Sequence, residues 1–286
     1  MGEIPSEPAE PAAHQFIRSG RSGRRSEPLP TEEYPNERLV MILVTGATGN
    51  IGREVVNQLL EDGQKVRAVT RDPATAALPD GAEVVGGDPS QPTTLTAALP
   101  GVEAVLVSPR ALGDATAGAA TAELLVLAAA QGVQRVVALS AATVEYPAGY
   151  RRFADAFRAV EDAVRASGLP WTILRSTDYD SNALAWSAQI RATGVVRGAY
   201  ADAATSTIHE RDVAAVAARA LVNPAHAGYA YLLTGPQSLS QCDKVRLIGE
   251  AIGKKLSFEE LPPEQVRQAM LAQGLPEDVP KRLLGS

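Results

Sequence analysis

Gly46, Gly49 and Gly52 stand three residues apart in Met41-Ile-Leu-Val-Thr-Gly-Ala-Thr-Gly-Asn-Ile-Gly52. An apolar run, Ile42-Leu43-Val44, precedes them, and a helical pattern of Ile51, Val55, Val56, Leu59 and Leu60 follows. A strand, a glycine turn and a helix start in that order present free backbone N–H groups and the positive end of a helix dipole. Such a site suits a pyrophosphate. Gly46 can take the backbone angles of a sharp exit from the strand. Gly49 leaves room for phosphates to approach the main chain, and Gly52 lets the helix pack close. The spacing differs from the commoner Gly-x-Gly-x-x-Gly, so the reading rests on where the triplet sits between strand and helix.

Arg71, in Thr70-Arg-Asp-Pro73, closes the next apolar run. An acidic residue at this place accepts from the adenosine ribose of NAD; a guanidinium suits the 2′-phosphate of NADP. Asp72 reads either as the ribose ligand or as a cap before Pro73. NADP(H) is therefore expected ahead of NAD(H). Asp88, in Gly87-Asp-Pro89, is placed to accept from an adenine amino group or to cap a helix after Pro92. Ser108 and Pro109, in Ser108-Pro-Arg110, fall where the second ribose would lie. Tyr179, Asn182 and Trp186 follow a later strand and read equally as substrate pocket or as core. His209-Glu-Arg-Asp212 lacks a second His, and Asp212 reads as a helix N-cap. With the lone Cys242, expected buried or half-buried in a helix, no side-chain cluster has metal-ligand spacing, and no metal is expected.

These residues need a scaffold, and the apolar pattern supplies one. Strands are expected at 41–44, 65–70, 83–86, 104–108, 135–140 and 171–175, with long helices at about 115–131 and 150–167. Alternation of this kind predicts a parallel α/β sheet covered on both faces, with right-handed crossovers that collect the loops after the strands along one edge. After Arg175 the pattern loosens. Helices near 181–191, 208–222, 241–252 and 263–273 and a strand at 229–233 are expected to form a smaller C-terminal lobe, mainly 177–286, that supplies substrate contacts. Residues 1–40 are rich in Pro, Glu, Ser and Arg and are expected to be disordered. Arg24-Arg25 leads into no apolar segment, which argues against a secretion signal.

The 286 residues are 45% hydrophobic and 21% charged, with a net charge of −6. That balance argues against nucleic acid or an anionic membrane as partner, and no stretch approaches the roughly 20 apolar residues of a membrane span. A small-molecule substrate and a cytoplasmic location are the expectation, with a homodimer left open.

Val44-Thr-Gly-Ala-Thr-Gly-Asn-Ile-Gly52, Thr70-Arg-Asp-Pro73, Gly87-Asp-Pro89, Ser167-Gly-Leu-Pro-Trp-Thr-Ile-Leu-Arg175, Asp212-Val-Ala214 and Leu233-Thr-Gly-Pro236 occur in that order. Together they resemble the NmrA-like atypical short-chain dehydrogenase/reductases, and among them the QorB-type quinone oxidoreductases. The resemblance covers residue 41 to about 285. It implies a Rossmann-type doubly wound parallel sheet, with Gly46, Thr48, Gly49, Asn50, Ile51, Gly52 and Arg71 binding NAD(P)H. Many members carry Tyr-x-x-x-Lys on the helix after the fifth strand. Here that helix has no Lys, and Arg151, Arg152 and Arg158 are permanently protonated. The hydroxyls left near the expected reaction centre are Ser140, Tyr146 and Tyr150; Ser140 reads alternatively as a cofactor contact. The resemblance implies an NADPH-dependent reductase passing hydride to a quinone, enone or related conjugated acceptor. Its alternatives are a non-catalytic NADP(H)-sensing regulator and a tailoring reductase or isomerase of secondary metabolism.

Overall fold

The computed structural model describes residues 39–113, 115–146 and 151–284. The expectation of disorder for 1–40 falls outside them except at Leu39 and Val40, and so does Tyr150. Strands β1 (Met41–Val44), β2 (Lys65–Thr70), β3 (Glu83–Gly86), β4 (Ala104–Val107), β5 (Arg135–Ala141) and β6 (Trp171–Ser176) lie within a residue or two of the apolar runs that announce them. They alternate with α1 (Asn50–Glu61), α2 (Ala117–Ala130) and α3 (Arg151–Ala166). Later come α4 (Ser187–Thr193), β7 (Val195–Gly198), β8 (Ala204–Thr205), α5 (Glu210–Val222) and β9 (Tyr229–Leu233). The chain continues through β10 (Leu239–Ser240), α6 (Gln241–Ala251), β11 (Ser257–Glu260), α7 (Pro263–Ala272) and α8 (Asp278–Leu284).

Seven strands form one parallel sheet in the order β3-β2-β1-β4-β5-β6-β9. Strand order reverses between β1 and β4, the place where such sheets bind ligands beyond the carboxyl ends of the strands. Side chains alternate across the sheet as the pleat requires. Ile42 and Val44 join Val55, Val56 and Leu59 of α1 and Val213, Ala217 and Leu221 of α5 on one face. Leu43, Val105 and Val107 meet Leu124 of α2 and Val160 and Val164 of α3 on the other. Both faces are buried, so the strands read as continuous apolar runs. Gly118 lets α2 approach α3, since a Cβ there would lie 2.8 Å from the Cβ of Ala159.

The second half departs from expectation in three ways. First, α5 and β9 are not part of a separate lobe: α5 packs beside α1, and β9 extends the main sheet beyond β6. Second, the β6-α5-β9 crossover runs in the same direction as β5-α3-β6 but places its helix on the opposite face, so its hand is reversed. The right-handed rule reflects short, tightly coupled strand–helix–strand units. The long excursion between β6 and α5 removes that coupling. Third, two small sheets, β7 with β11 and β8 with β10, were not anticipated. Their mixed residues, such as Ser257-Phe-Glu-Glu260, carry no clear period. The first part of the helix expected at 181–191 is instead a 3-10 turn, Asp180–Trp186, that leads into α4. Cys242 is exposed rather than buried; it sits in the first turn of α6, one turn before the buried Val245.

Candidate functional site

Thr45 follows β1 and is fully buried. Its hydroxyl donates to the Leu106 carbonyl at 2.8 Å and accepts from the Ser108 amide at 2.9 Å, so it joins the ends of β1 and β4 at the switch point. Gly46 then turns the chain with φ +66, and a Cβ there would lie 2.9 Å from both Cβ and Oγ of Ser108. Gly49 donates to the Gly46 carbonyl at 3.0 Å and forms the N-cap of α1 without any side-chain cap. A Cβ on Gly52 would stand 2.1 Å from the Gly46 carbonyl oxygen, so the helix rests directly on the turn. The amides of Asn50, Ile51 and Gly52 lie in the first turn, where an α-helix supplies no acceptor. No acidic residue occupies that turn, and Thr48, Gly49 and Asn50 are exposed. The positive end of α1 is thus open to an anion.

At the tips of β2 and β3 the structure separates two readings that the sequence leaves open. Asp72 accepts from the Ala74 amide at 3.1 Å and from Thr75 Oγ1 at 2.8 Å, capping the 3-10 turn Pro73–Thr75. Arg71 beside it is exposed and has no hydrogen bond or ion pair with a described residue. Asp88 does not cap the segment after Pro92, which is a 3-10 helix preceded by Gln91. Its carboxylate instead accepts from Ser90 Oγ at 2.8 Å and the Ser90 amide at 3.0 Å. Those bonds, helped by the charge of Arg71, hold the carboxyl below its ordinary value. Arg71 and Asp88 therefore face one region of the sheet edge.

Ser108 is half-buried against the glycine turn, and Pro109 is buried at the start of a 3-10 turn that leaves Arg110 exposed. Ser140, expected at the reaction centre, is only 2% exposed and donates to Glu161 Oε1 at 2.6 Å. Its strand position turns it towards α3 and occupies its hydroxyl. Glu161 is fully buried and also accepts from Arg175 Nε at 2.9 Å, Arg175 Nη2 at 2.7 Å and Arg165 Nη2 at 2.8 Å. Arg175 reaches Glu145 as well. Burial pushes the Glu161 carboxyl up, but the bonds from Arg175, Ser140 and Arg165 outweigh it and hold the carboxyl low. This network escaped the sequence reading. Its one signal is an acid on the buried stripe of α3 between Val160 and Val164.

Tyr146 is 58% exposed, on the turn after β5. Tyr179 is half-buried just beyond β6, with its hydroxyl 2.6 Å from Ser176 Oγ and its backbone bridged to Ile208. Burial raises the pKa of its phenol. Asn182 is exposed and donates to Asp178, and Trp186 is half-buried at the end of the 3-10 turn. At the start of α5 the cap is His209, whose Nδ1 accepts from the Arg211 amide at 3.1 Å, and not Asp212, which sits in the first turn. Between the N-termini of α1 and α5 lies a cleft of about 260 Å³, lined by Thr48, Gly49, Asn50, Arg53, Glu54, Ser181, His209 and Glu210. Among the described residues, no group of three or more His, Cys, Asp or Glu is placed to hold a metal ion, and no helix is long and apolar enough to cross a membrane.

Comparison with known proteins agrees with this geometry. Residues 46–224 match the model of the NAD(P)H-binding family. A (4-alkanoyl-5-oxo-2,5-dihydrofuran-3-yl)methyl phosphate reductase of Streptomyces griseus is 40% identical over 236 residues, covering 81% of each chain. An NAD(P)H azoreductase of Xenophilus azovorans is 34% identical, covering 84% of this chain and 83% of its own. The structure of the Escherichia coli NADPH-dependent quinone oxidoreductase QOR2 in complex with NADPH superposes with a TM-score of 0.75 at 27% identity. That match covers 86% of this chain and 87% of the other. The chain belongs to the NAD(P)H-binding family, among the oxidoreductases related to quinone oxidoreductase 2 and the NAD(P)H azoreductase.

Proposed function

We propose that the protein is an NADPH-dependent reductase of small, electron-poor conjugated acceptors such as quinones and enones. The observation that carries this reading is the uncovered N-terminus of α1, together with an Arg71 that has no hydrogen bond or ion pair among the described residues. The residues present fit a dinucleotide phosphate: a side chain at Gly46 would strike Ser108, and one at Gly52 would push the helix off the Gly46 carbonyl. On this reading the amides of Asn50, Ile51 and Gly52 hold the pyrophosphate, and Arg71 forms a bidentate pair with the 2′-phosphate. Asp88 accepts from the adenine amino group, and Ser108 and Pro109 wall the second ribose. A bound nicotinamide would supply the hydride.

The side chains then have three tasks: orienting the acceptor, excluding water and stabilising charge on the acceptor oxygen. Tyr179, Asn182 and Trp186, beyond β6, line the acceptor pocket and belong with a small C-terminal lobe built around residues 177–207 and 234–284. Ser140 is occupied by Glu161, so Tyr146 and Tyr150 are the hydroxyls left to bond the acceptor oxygen. An electron-poor quinone accepts hydride at carbon and takes its proton from water, so the helix without Lys is compatible with turnover.

The relatives support the acceptor class: their names give as substrates an alkanoyl-oxo-dihydrofuran phosphate, an azo compound and a quinone, each a conjugated molecule. The test is NADPH oxidation with a panel of quinones, butenolide phosphates and azo dyes, beside calorimetric binding of NADPH and NADH. Turnover is expected with at least one class, and Arg71→Ala is expected to abolish the preference for NADPH. Tight NADPH binding without turnover on any acceptor would overturn the reductase reading in favour of a sensor.

A further inference from the structure

Glu210 is the first residue of α5 and only 6% exposed. An acid at a helix N-terminus complements the dipole, which explains its place in the sequence but not its burial. Its Oε1 is closed off from water and has no hydrogen-bond partner among the described residues. Leaving such an oxygen unpaired costs free energy, and native folds rarely tolerate it without a ligand or water. The two arginines nearest in its cleft and its own helix are engaged elsewhere. Arg53 donates to the carbonyls of Ala76 and Ala77, and Arg211 points to Glu54 at 3.9 Å.

Glu210 lines one cleft with Gly49, Asn50 and Ser181, and Asn50 Nδ2 reaches Ser181 Oγ at 3.4 Å. The open end of α1 is therefore one wall of the space Glu210 borders. Whatever completes Glu210 must donate hydrogen bonds, which a pyrophosphate cannot do; the riboses on either side of it can. Arg71 draws the adenosine ribose towards β2, whereas α5 and Ser181 lie towards β6. We propose that Glu210 is a cofactor-binding residue whose carboxylate accepts hydrogen bonds from the hydroxyls of the nicotinamide-side ribose. The proposal rests on the NADPH reading above.

The test is calorimetric titration of wild type, Glu210→Gln and Glu210→Ala with NADPH and with 2′,5′-ADP, which lacks the nicotinamide ribose. All titrations are run in EDTA and repeated with Mg²⁺. Glu210→Ala is expected to weaken NADPH by about tenfold or more and to leave 2′,5′-ADP within about twofold. Glu210→Gln, which keeps one acceptor oxygen, is expected to lose less. Melting curves without ligand should show both variants folded, with midpoints at or above wild type, because an unpaired buried charge has been removed. Unchanged or tighter NADPH binding would overturn the proposal, as would equal weakening of both ligands or an effect seen only with Mg²⁺. If the wild type bound neither ligand, the cofactor reading itself would fall, and Glu210's role with it.

Discussion

Glu161 carries a charge where the helical period of α3 calls for an apolar side chain, and three donors hold it there. Removing one partner of a buried charged group typically costs about 3–5 kcal/mol. The group also links stability to pH. Its carboxyl titrates below its ordinary 4.5 in the folded state, so the folded chain binds that proton less readily than the unfolded one. The stabilisation is complete above the ordinary carboxylate range and is lost as pH falls through the lowered folded value. Thermal melts from neutral to acidic pH should show a falling midpoint, and Glu161→Gln should be less stable at neutral pH with a flatter acid limb. An unaltered acid limb in the variant would remove Glu161 as its source. Asp72 and Asp88 show how far single residues were legible: types and positions marked them as polar groups at strand ends. Only their bonds to Ala74, Thr75 and Ser90 show what each is already doing.

Among the elements, α1 is the one whose position the proposed phosphate contacts depend on, and its seat is the Gly46 carbonyl. Gly52→Ala forces a Cβ to 2.1 Å from that oxygen, so turn and helix must separate. Overpacking of this kind costs about 1–3 kcal/mol, and NADPH affinity should fall at least about tenfold because the first-turn amides move. Gly63→Ala is the control: its φ is +74 but nothing lies within 4 Å of the new Cβ. It should cost about 1 kcal/mol and leave binding unchanged. Denaturant melts and calorimetry on the two variants separate these outcomes. The central strands were legible because both of their faces are buried, which leaves no polar alternation to confuse them. β7 and β11 were not, since their pairing joins residues some sixty positions apart and Val196 is the one buried residue of the two strands.

Over the whole molecule, the open edge of the sheet couples ligand binding to folding. A ligand that binds only the folded chain stabilises it by about 2.7 kcal/mol at a hundred times its Kd. For a domain of this size that corresponds to a rise in Tm of about 5–10 °C. NADPH at such an excess should produce that rise in a fluorescence melt, and NADH at the same concentration a smaller one. Equal shifts would count against Arg71 as a 2′-phosphate ligand. The reversed crossover into β9 matters at the same scale, because it sets the N-terminus of α5 beside that of α1 and so creates the cleft that holds Glu210.

The glycine turn, the six strands, α1 to α3 and the kinship with NAD(P)H-binding oxidoreductases were all present in residue order, because each rests on contacts or conformations within a few positions of chain. What the order of residues left open was which polar groups are already satisfied. Ser140 meets Glu161 across 21 positions, Thr45 meets Leu106 across 61, and α5 reaches α1 from more than a hundred residues away. Packing alone decides such pairings, since a donor and an acceptor far apart in the chain meet only when the layers that carry them close. Ser140 is thereby bonded to Glu161, while among the described residues Arg71 and Glu210 Oε1 have no hydrogen bond.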